Sequence, residues 1–205
     1  MSVDYYKYAF DVTTDEIISR VKHACFPAKS ESIFGPNGKY DLYGPIWTIL
    51  TLNIMIFIFG NIAGYFDALA NEETDYKTEA FWITSSTSFL TFYFLIVPLA
   101  LWGLIRLTGE DLKSNDGNPD YFFLVSVYGY SFVPFMPAIV FYVIPSNPVK
   151  WAVLLIAGGV SLMFLAKEMF GRVAQNLDGK SMKIAAIAML VLHLLFILAL
   201  KWKFL

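Results

Sequence analysis

Three ionisable residues inside apolar stretches are the first candidates for chemistry: Lys167, Glu168 and His193. Because lipid solvates charge poorly, such residues mark proton relays, ion paths or ligand sites in many membrane proteins. Lys167 and Glu168 are adjacent, so their side chains diverge by about 100° around a helix and cannot face each other. His193 stands alone in "AMLVLHLLFIL". We expect it to hydrogen-bond a neighbouring helix rather than to bind a ligand.

Motifs typical of hydrolases, metalloproteases and nucleotide-binding enzymes are absent from the sequence. It contains no HExxH, no GxSxG, no P-loop and no acidic pair at helical spacing within an apolar stretch. Cys25 is the only cysteine, so this chain has neither an internal disulfide nor a CxxC zinc or redox site. A net charge of −2 offers no broad basic surface for nucleic acid. We therefore expect no enzyme, no cofactor and no nucleic-acid partner.

Composition places these residues in a membrane protein. The 205 residues are 57% hydrophobic and 18% aromatic, above the apolar share of soluble domains. A bilayer core about 30 Å thick needs roughly 20 apolar residues per helix. Five stretches meet this length or approach it: Ile46 to Phe66, Phe81 to Leu107, Tyr121 to Ile144, Lys150 to Leu165 and Ile184 to Leu200.

The sequence therefore predicts an all-α polytopic membrane protein with a bundle of five transmembrane helices over residues 46–205. Residues 1–45 form a short cytoplasmic head with an amphipathic helix and a linker. The fourth stretch is the weakest because Lys167 and Glu168 follow it, so four spans remain an alternative.

Loop charges predict the orientation of the bundle. Eleven of the 15 Lys and Arg residues fall on the side of the N-terminus and four on the other side. By the positive-inside rule the N-terminus is cytoplasmic and the C-terminus lumenal. The first residues lack the basic patch and apolar core of a signal peptide, so we expect insertion to rely on the internal helices.

The head contains one helical pattern, "TTDEIISRVKHACFP". Thr13 and Glu16 have the spacing of a capping box, and Pro27 ends the helix. An apolar face is predicted, with Arg20 among the charged residues outside it; the face comprises Ile17, Ile18, Val21, Ala24 and Cys25. Two interpretations stay open: the helix lies on the bilayer surface or the cytoplasmic end of the bundle, or it is a docking face for a partner.

A polar motif stands directly before the first span: Asp41, Leu42, Tyr43, Gly44 and Pro45. The Asp41 carboxylate can accept free N–H groups at the start of the helix. Gly44 permits a bend, and Pro45 suits the first turn because its missing N–H would be unpaired there. We interpret the motif as a rigid entry hinge, with a direct partner surface as the alternative.

The third span carries a second unusual stretch: Tyr128, Gly129, Tyr130 and Ser131, followed by Pro134 and Pro137. Gly129 permits close helix approach, and the neighbouring hydroxyls can hydrogen-bond across that contact. The prolines should kink or break the helix and free carbonyls that need other partners. The stretch is either a packing notch with a kink or a groove that admits a lipid or a prenyl chain.

Four segments resemble the Yip family, the Ypt/Rab-interacting Golgi membrane proteins. They are "YYKYAFDVTTDEIISRVKHACFP", "DLYGPIWTILTL", "VPLALWG" and "VYGYS", and the resemblance is strongest to the branch with the motifs DLYGPFW and VYGYS. The matches are collinear from Tyr5 to about His193. The sequence departs from that branch at Ile46, where phenylalanine is usual, and in its shorter head.

The resemblance implies five helices, a cytoplasmic head and a lumenal tail in membranes of the Golgi or endoplasmic reticulum. It also implies association with prenylated Rab GTPases and other Yip-family membrane proteins, in support of vesicle-mediated transport. The site residues it implies are those of the two motifs above. The alternative is a small lipid- or solute-handling protein, a scramblase or channel-like bundle in which the kinked third span and His193 line a path.

Overall fold

A computed structural model describes residues 9–27, 32–34, 39–72, 81–108, 120–173 and 179–203, and within these ranges the regular structure is helical. Its helices are α1 (Thr14–Cys25), α2 (Tyr43–Ala70), α3 (Phe81–Thr108), α4 (Tyr121–Tyr130), α5 (Phe135–Phe141), α6 (Asn147–Val173) and α7 (Gly179–Lys203). We call the end of the bundle that α1 contacts the head end, and the opposite end the far end.

Five helical segments among the described residues are long and apolar enough to cross a membrane, with α4 and α5 together forming the third. This confirms the predicted five-helix bundle with a short helix ahead of it. The four-span alternative is wrong because α6 continues through Lys167 and Glu168 to Val173. Helix α2 begins at Tyr43, ahead of the predicted start, because Gly44 and Pro45 fit within its first turn.

Helix α4 occupies the centre of the bundle. In the span formed by α4 and α5, 83% of the most apolar segment is buried inside the protein, against 33–39% in the other four spans. Helices α2, α3 and α6 all pack against α4. Phe123, Tyr128 and Tyr130 fill this centre and are almost inaccessible. The helices around α4 therefore bury the second predicted motif, from Tyr128 to Ser131, inside the protein.

The third span breaks between α4 and α5, as the two prolines predict. Pro134 has no N–H to donate, and residues 131–134 form tighter turns in which Val133 N–H bonds the Tyr130 carbonyl at 3.1 Å. The Ser131 carbonyl, released from the helical ladder, accepts the Ser161 hydroxyl of α6 at 2.7 Å. A side chain of a neighbouring helix thus satisfies a backbone group that lipid could not.

Hydrogen bonds between side chains join the other helices. Asn53 of α2 contacts Ser86 and Thr87 of α3 through its amide oxygen and nitrogen. His193 of α7 lies 3.1 Å from the Gly158 carbonyl of α6 and 3.5 Å from the Tyr93 hydroxyl of α3. The predicted hydrogen bond from His193 to a neighbouring helix is therefore confirmed.

Pro45 of α2 lies directly against Gly129 of α4. A Cβ atom added at Gly129 would fall 2.8 Å from the Pro45 Cα, a backbone atom that cannot rotate away. At Gly159 of α6 the same added atom would meet nothing within 4 Å. The first and third spans can therefore pack in this register only with glycine at position 129.

Gly129→Ala should lower the free energy of unfolding in detergent by about 1–3 kcal/mol, because one methyl group overfills a closed contact. Gly159→Ala is the matched control, since it introduces the same atom in open space and a better helix former. Thermal unfolding followed by tryptophan fluorescence measures both. Equal melting temperatures for the two variants would show that the Gly129 contact can relax.

Candidate functional site: the junction of the N-terminal helix and the bundle

Helix α1 begins with the predicted capping box. The Glu16 N–H donates to the Thr13 hydroxyl at 3.3 Å, and the Thr13 N–H donates to the Glu16 carboxylate at 2.8 Å. These bonds from Thr13 hold the pKa of the Glu16 carboxyl below its ordinary value. The helix packs against α4 and α6 at the head end, so its start and its docking position are both defined.

Arg20 corrects the predicted face of α1. Its charge predicts a position outside the apolar face, yet Arg20 is buried together with Ala24, while Ile18 is 46% exposed. The guanidinium lies over the Phe34 ring, 5.3 Å from the centroid. Its helical position one turn from Ile17 and Ala24 was the available signal, but charge alone suggested the opposite side.

The partner of Arg20 is Asp41, the first residue of the motif from Asp41 to Pro45, which we call the entry motif. Arg20 Nη1 forms an ion pair with Asp41 Oδ2, and Arg20 Nη2 donates to the Lys39 carbonyl at 3.0 Å. Side-chain exposure is 6% for Arg20 and 2% for Asp41, so the pair is shielded from water. Removing one member would leave the other charge buried, which is the costly case.

Asp41 also connects the two motifs. Its Oδ2 accepts the Tyr130 hydroxyl of α4 at 2.9 Å, and its Oδ1 accepts the Gly44 N–H in the first turn of α2 at 2.7 Å. The predicted bond from Asp41 to the start of this helix is present. We call Arg20, Asp41 and Tyr130 the head–bundle junction, because these side chains join α1, the entry motif and α4.

The remaining motif residues lie around this junction. Leu42 is half-buried and Tyr43 is exposed, whereas Gly44 and Pro45 are buried. A Cβ atom on Gly44 would fall 2.6 Å from Tyr130 Cζ, so the glycine makes room for the tyrosine ring. Most of the entry motif thus faces the protein. Its exposed residue is Tyr43, whose ring lies 6.1 Å from the ring of the exposed Trp47 in the same helix.

Tyr128, Gly129 and Tyr130 end α4 and Ser131 follows it directly; all four residues are buried and make different contacts. Gly129 meets Pro45 and Tyr130 bonds Asp41, whereas the Ser131 hydroxyl donates to the Tyr128 carbonyl of its own helix at 2.7 Å. The Tyr128 hydroxyl has no hydrogen-bond partner among the described residues. The expected hydrogen bond across the helix contact is therefore made by Tyr130.

Lys167 and Glu168 reinforce the head end instead of forming an intramembrane relay. Lys167 Nζ lies 2.8 Å from His23 Nε2 of α1. The buried Glu168 carboxylate accepts the Ser32 hydroxyl at 2.6 Å and the Ile33 N–H at 3.2 Å. The two side chains diverge, as predicted, and each holds a different segment of the head on α6.

An apolar groove of about 370 Å³ opens beside the break in the third span. Pro134, Pro137 and Phe141 form one wall, and Val153, Ile156 and Val160 of α6 form the other. Cys25 and Phe26, at the end of α1, line its head-end side. The groove lies where the sequence predicted a kink, and its lining suits a hydrocarbon chain.

The charged groups of the head–bundle junction are satisfied by one another and by neighbouring donors. No group of three or more histidine, cysteine, aspartate or glutamate residues that could hold a metal ion occurs within the described ranges. Arg20 and Asp41 neutralise each other, and the Asp41 oxygens are already occupied by donors. The arrangement fixes the position of α1 on the bundle.

A double-mutant cycle should expose this coupling. Arg20→Met or Asp41→Asn alone should destabilise the protein by about 3–5 kcal/mol, because each strands a buried partner. The double variant should lose less than the sum, since neither charge then remains unpaired. Unfolding in detergent measures the cycle. Asp11→Asn, which removes an exposed pair with Lys39, is the control, with an effect below about 1 kcal/mol. Additive losses would contradict the coupling.

Two known proteins are similar in sequence to almost the whole of this chain. The chain is 28% identical over 202 residues to the YIPF1 homolog protein of Dictyostelium discoideum, covering 98% of this chain and 55% of that protein. It is 25% identical over 209 residues to protein YIP5 of Schizosaccharomyces pombe, covering 97% and 78% respectively. The chain therefore spans about half the length of the first relative.

No solved structure matches this chain. The family model of the Yip1 domain matches residues 32–200, which include the entry motif, the second motif from Tyr128 to Ser131, the first four spans and most of the fifth. This match covers most of the chain. The chain belongs to the Yip1 domain family.

Proposed function

We propose that this protein is a trafficking factor of Golgi or endoplasmic reticulum membranes that associates with prenylated Rab GTPases and other Yip-family membrane proteins. Membership of the Yip1 domain family supports a role in membrane traffic. The observation that carries the proposal further is the head–bundle junction, because it holds the short head as a fixed surface at one end of a membrane bundle.

A fixed head suits recognition of a GTPase on the membrane. Ordering a flexible segment on binding costs free energy, and a helix that is already docked avoids that cost. The Arg20–Asp41 pair and the contacts of Lys167 and Glu168 with the head hold α1 on the bundle. One side of α1 faces outwards. This outward side supports the interpretation of α1 as a docking face while its other side rests on the bundle.

The outward side of α1 combines an apolar residue with charged ones. Ile18 is 46% exposed, and Asp15, Ser19 and Lys22 beside it are also exposed. An apolar centre with a polar rim is the usual composition of a transient protein interface. A membrane-anchored GTPase could meet this surface while its prenyl group stays in the adjacent bilayer.

Capture of Rab GTPases by the tagged, full chain in mild detergent tests the proposal. We expect enrichment of particular Rabs only when they are prenylated, and a reduction of about tenfold for Ile18→Asp, which places a charge at the centre of the surface. Asp11→Asn is the control, because Asp11 is exposed outside α1. Capture no better than with an unrelated five-span protein, or equal capture without prenylation, would contradict the proposal.

We further propose that the head end is cytoplasmic and the C-terminus lumenal. The supporting observation is the uneven distribution of Lys and Arg, eleven to four, together with the docking of α1 at the head end. Protease added to sealed microsomes should remove an N-terminal tag and spare a C-terminal one. Protection of the N-terminal tag would reverse the orientation and remove α1 from the side on which Rabs act.

A further inference from the structure

A cluster of basic and aromatic side chains lies at the far end, away from both motifs. Lys150 of α6 donates to the Asp67 carboxylate at 3.1 Å, and its ammonium lies 4.8 Å from the centroid of the Tyr142 ring. Lys201 of α7 donates to the Tyr142 hydroxyl at 2.9 Å and lies 5.6 Å from the Trp151 ring. Two ammonium groups thus converge on Tyr142.

The charges of this cluster favour an anion. Lys150, Lys201 and Asp67 together carry a net charge of +1, and the Asp67 side chain is 50% exposed while that of Lys150 is 11% exposed. Burial and the nearby Asp67 raise the pKa of Tyr142 to about 12, so its hydroxyl stays protonated. This hydroxyl accepts from Lys201 and retains its own proton for an acceptor.

The apolar groove leads towards this cluster. Lys150 is one helical turn before Val153 and shares a face of α6 with Val153 and Val160, and Tyr142 follows the groove residue Phe141. From Val160 to Lys150 the helix rises about 15 Å, half the thickness of a bilayer core. One acyl chain of one leaflet has this length.

We propose that the groove and the cluster together bind an anionic phospholipid of the far-end leaflet. One acyl chain lies in the groove between α5 and α6, and the phosphate lies at Lys150 and Lys201 on the exposed side of Asp67. The lysines and the Tyr142 hydroxyl donate to phosphate oxygens, and Trp151 flanks the headgroup layer. Asp67 competes with the phosphate for Lys150, so it limits the affinity.

Native mass spectrometry of the purified full chain with added lipid tests this site. Dioleoyl phosphatidylserine should bind about tenfold more tightly than dioleoyl phosphatidylcholine, and Lys150→Gln should remove the preference. Asp67→Asn should strengthen phosphatidylserine binding, because the competing carboxylate is gone. Opposite effects of these two variants distinguish a headgroup site from an ion pair with a purely structural role, which either variant would weaken alike.

The groove has its own matched pair of variants. Val160→Trp fills the groove and should weaken phosphatidylserine binding, whereas Leu155→Trp on the same helix, exposed outside the groove, should not. Inorganic phosphate serves as the headgroup alone and should bind far more weakly than the lipid. Equal binding of the two lipids, equal effects of Lys150→Gln and Asp67→Asn, or phosphate binding as tight as the lipid would overturn the proposal. Lys201→Gln provides a second test of the basic cluster if Lys150→Gln fails to fold.

Discussion

The ion pair between Arg20 and Asp41 is the interaction on which the arrangement of the head depends. Its two charges are withdrawn from water, so they are tolerated only because each meets the other and further hydrogen-bonding groups. Asp41 needs the Tyr130 hydroxyl, and the Tyr130 ring needs the space left by Gly44. Close packing of Pro45 on Gly129 then sets the distance between α2 and α4. The position of α1 and the register of the first and third spans therefore depend on each other.

Much of this fold could be predicted from the sequence, because the bilayer imposes a strong constraint on length and hydropathy. Five spans, the capping box at Thr13 and the break at Pro134 follow from local patterns that act through their own helix. Arg20 was misplaced for the opposite reason. Its environment is created by Asp41, 21 residues along the chain, and no local pattern records that contact.

For the polar residues of the spans, too, local sequence predicts the kind of contact but not the distant partner. His193 was predicted to bond a neighbouring helix, since lipid leaves few other choices, but its partners Tyr93 and Gly158 could not be identified before the helices were assembled. Lys167 and Glu168 were read as an interruption of a span. In the assembled protein they lie where α6 meets the head, and their partners His23, Ser32 and Ile33 account for both charges. An apolar helix can thus continue past charged residues when a docked segment supplies their hydrogen-bond partners.

The two ends of the bundle differ in how their buried charges are paired, and this difference affects which ligands each end can bind. At the head end every oxygen of Asp41 has a donor within the protein, so the junction is closed to further ligands. At the far end Lys150 and Lys201 share Tyr142, while the carboxylate that meets Lys150 is half exposed. A closed junction fixes geometry, whereas a basic cluster with a half-exposed carboxylate beside an apolar groove can bind an anionic amphiphile, as proposed. The proposed recognition of proteins at the head end centres on Ile18, whereas the proposed binding of lipid at the far end uses Lys150 and Lys201. Because these residues differ, the two can coexist in one small bundle.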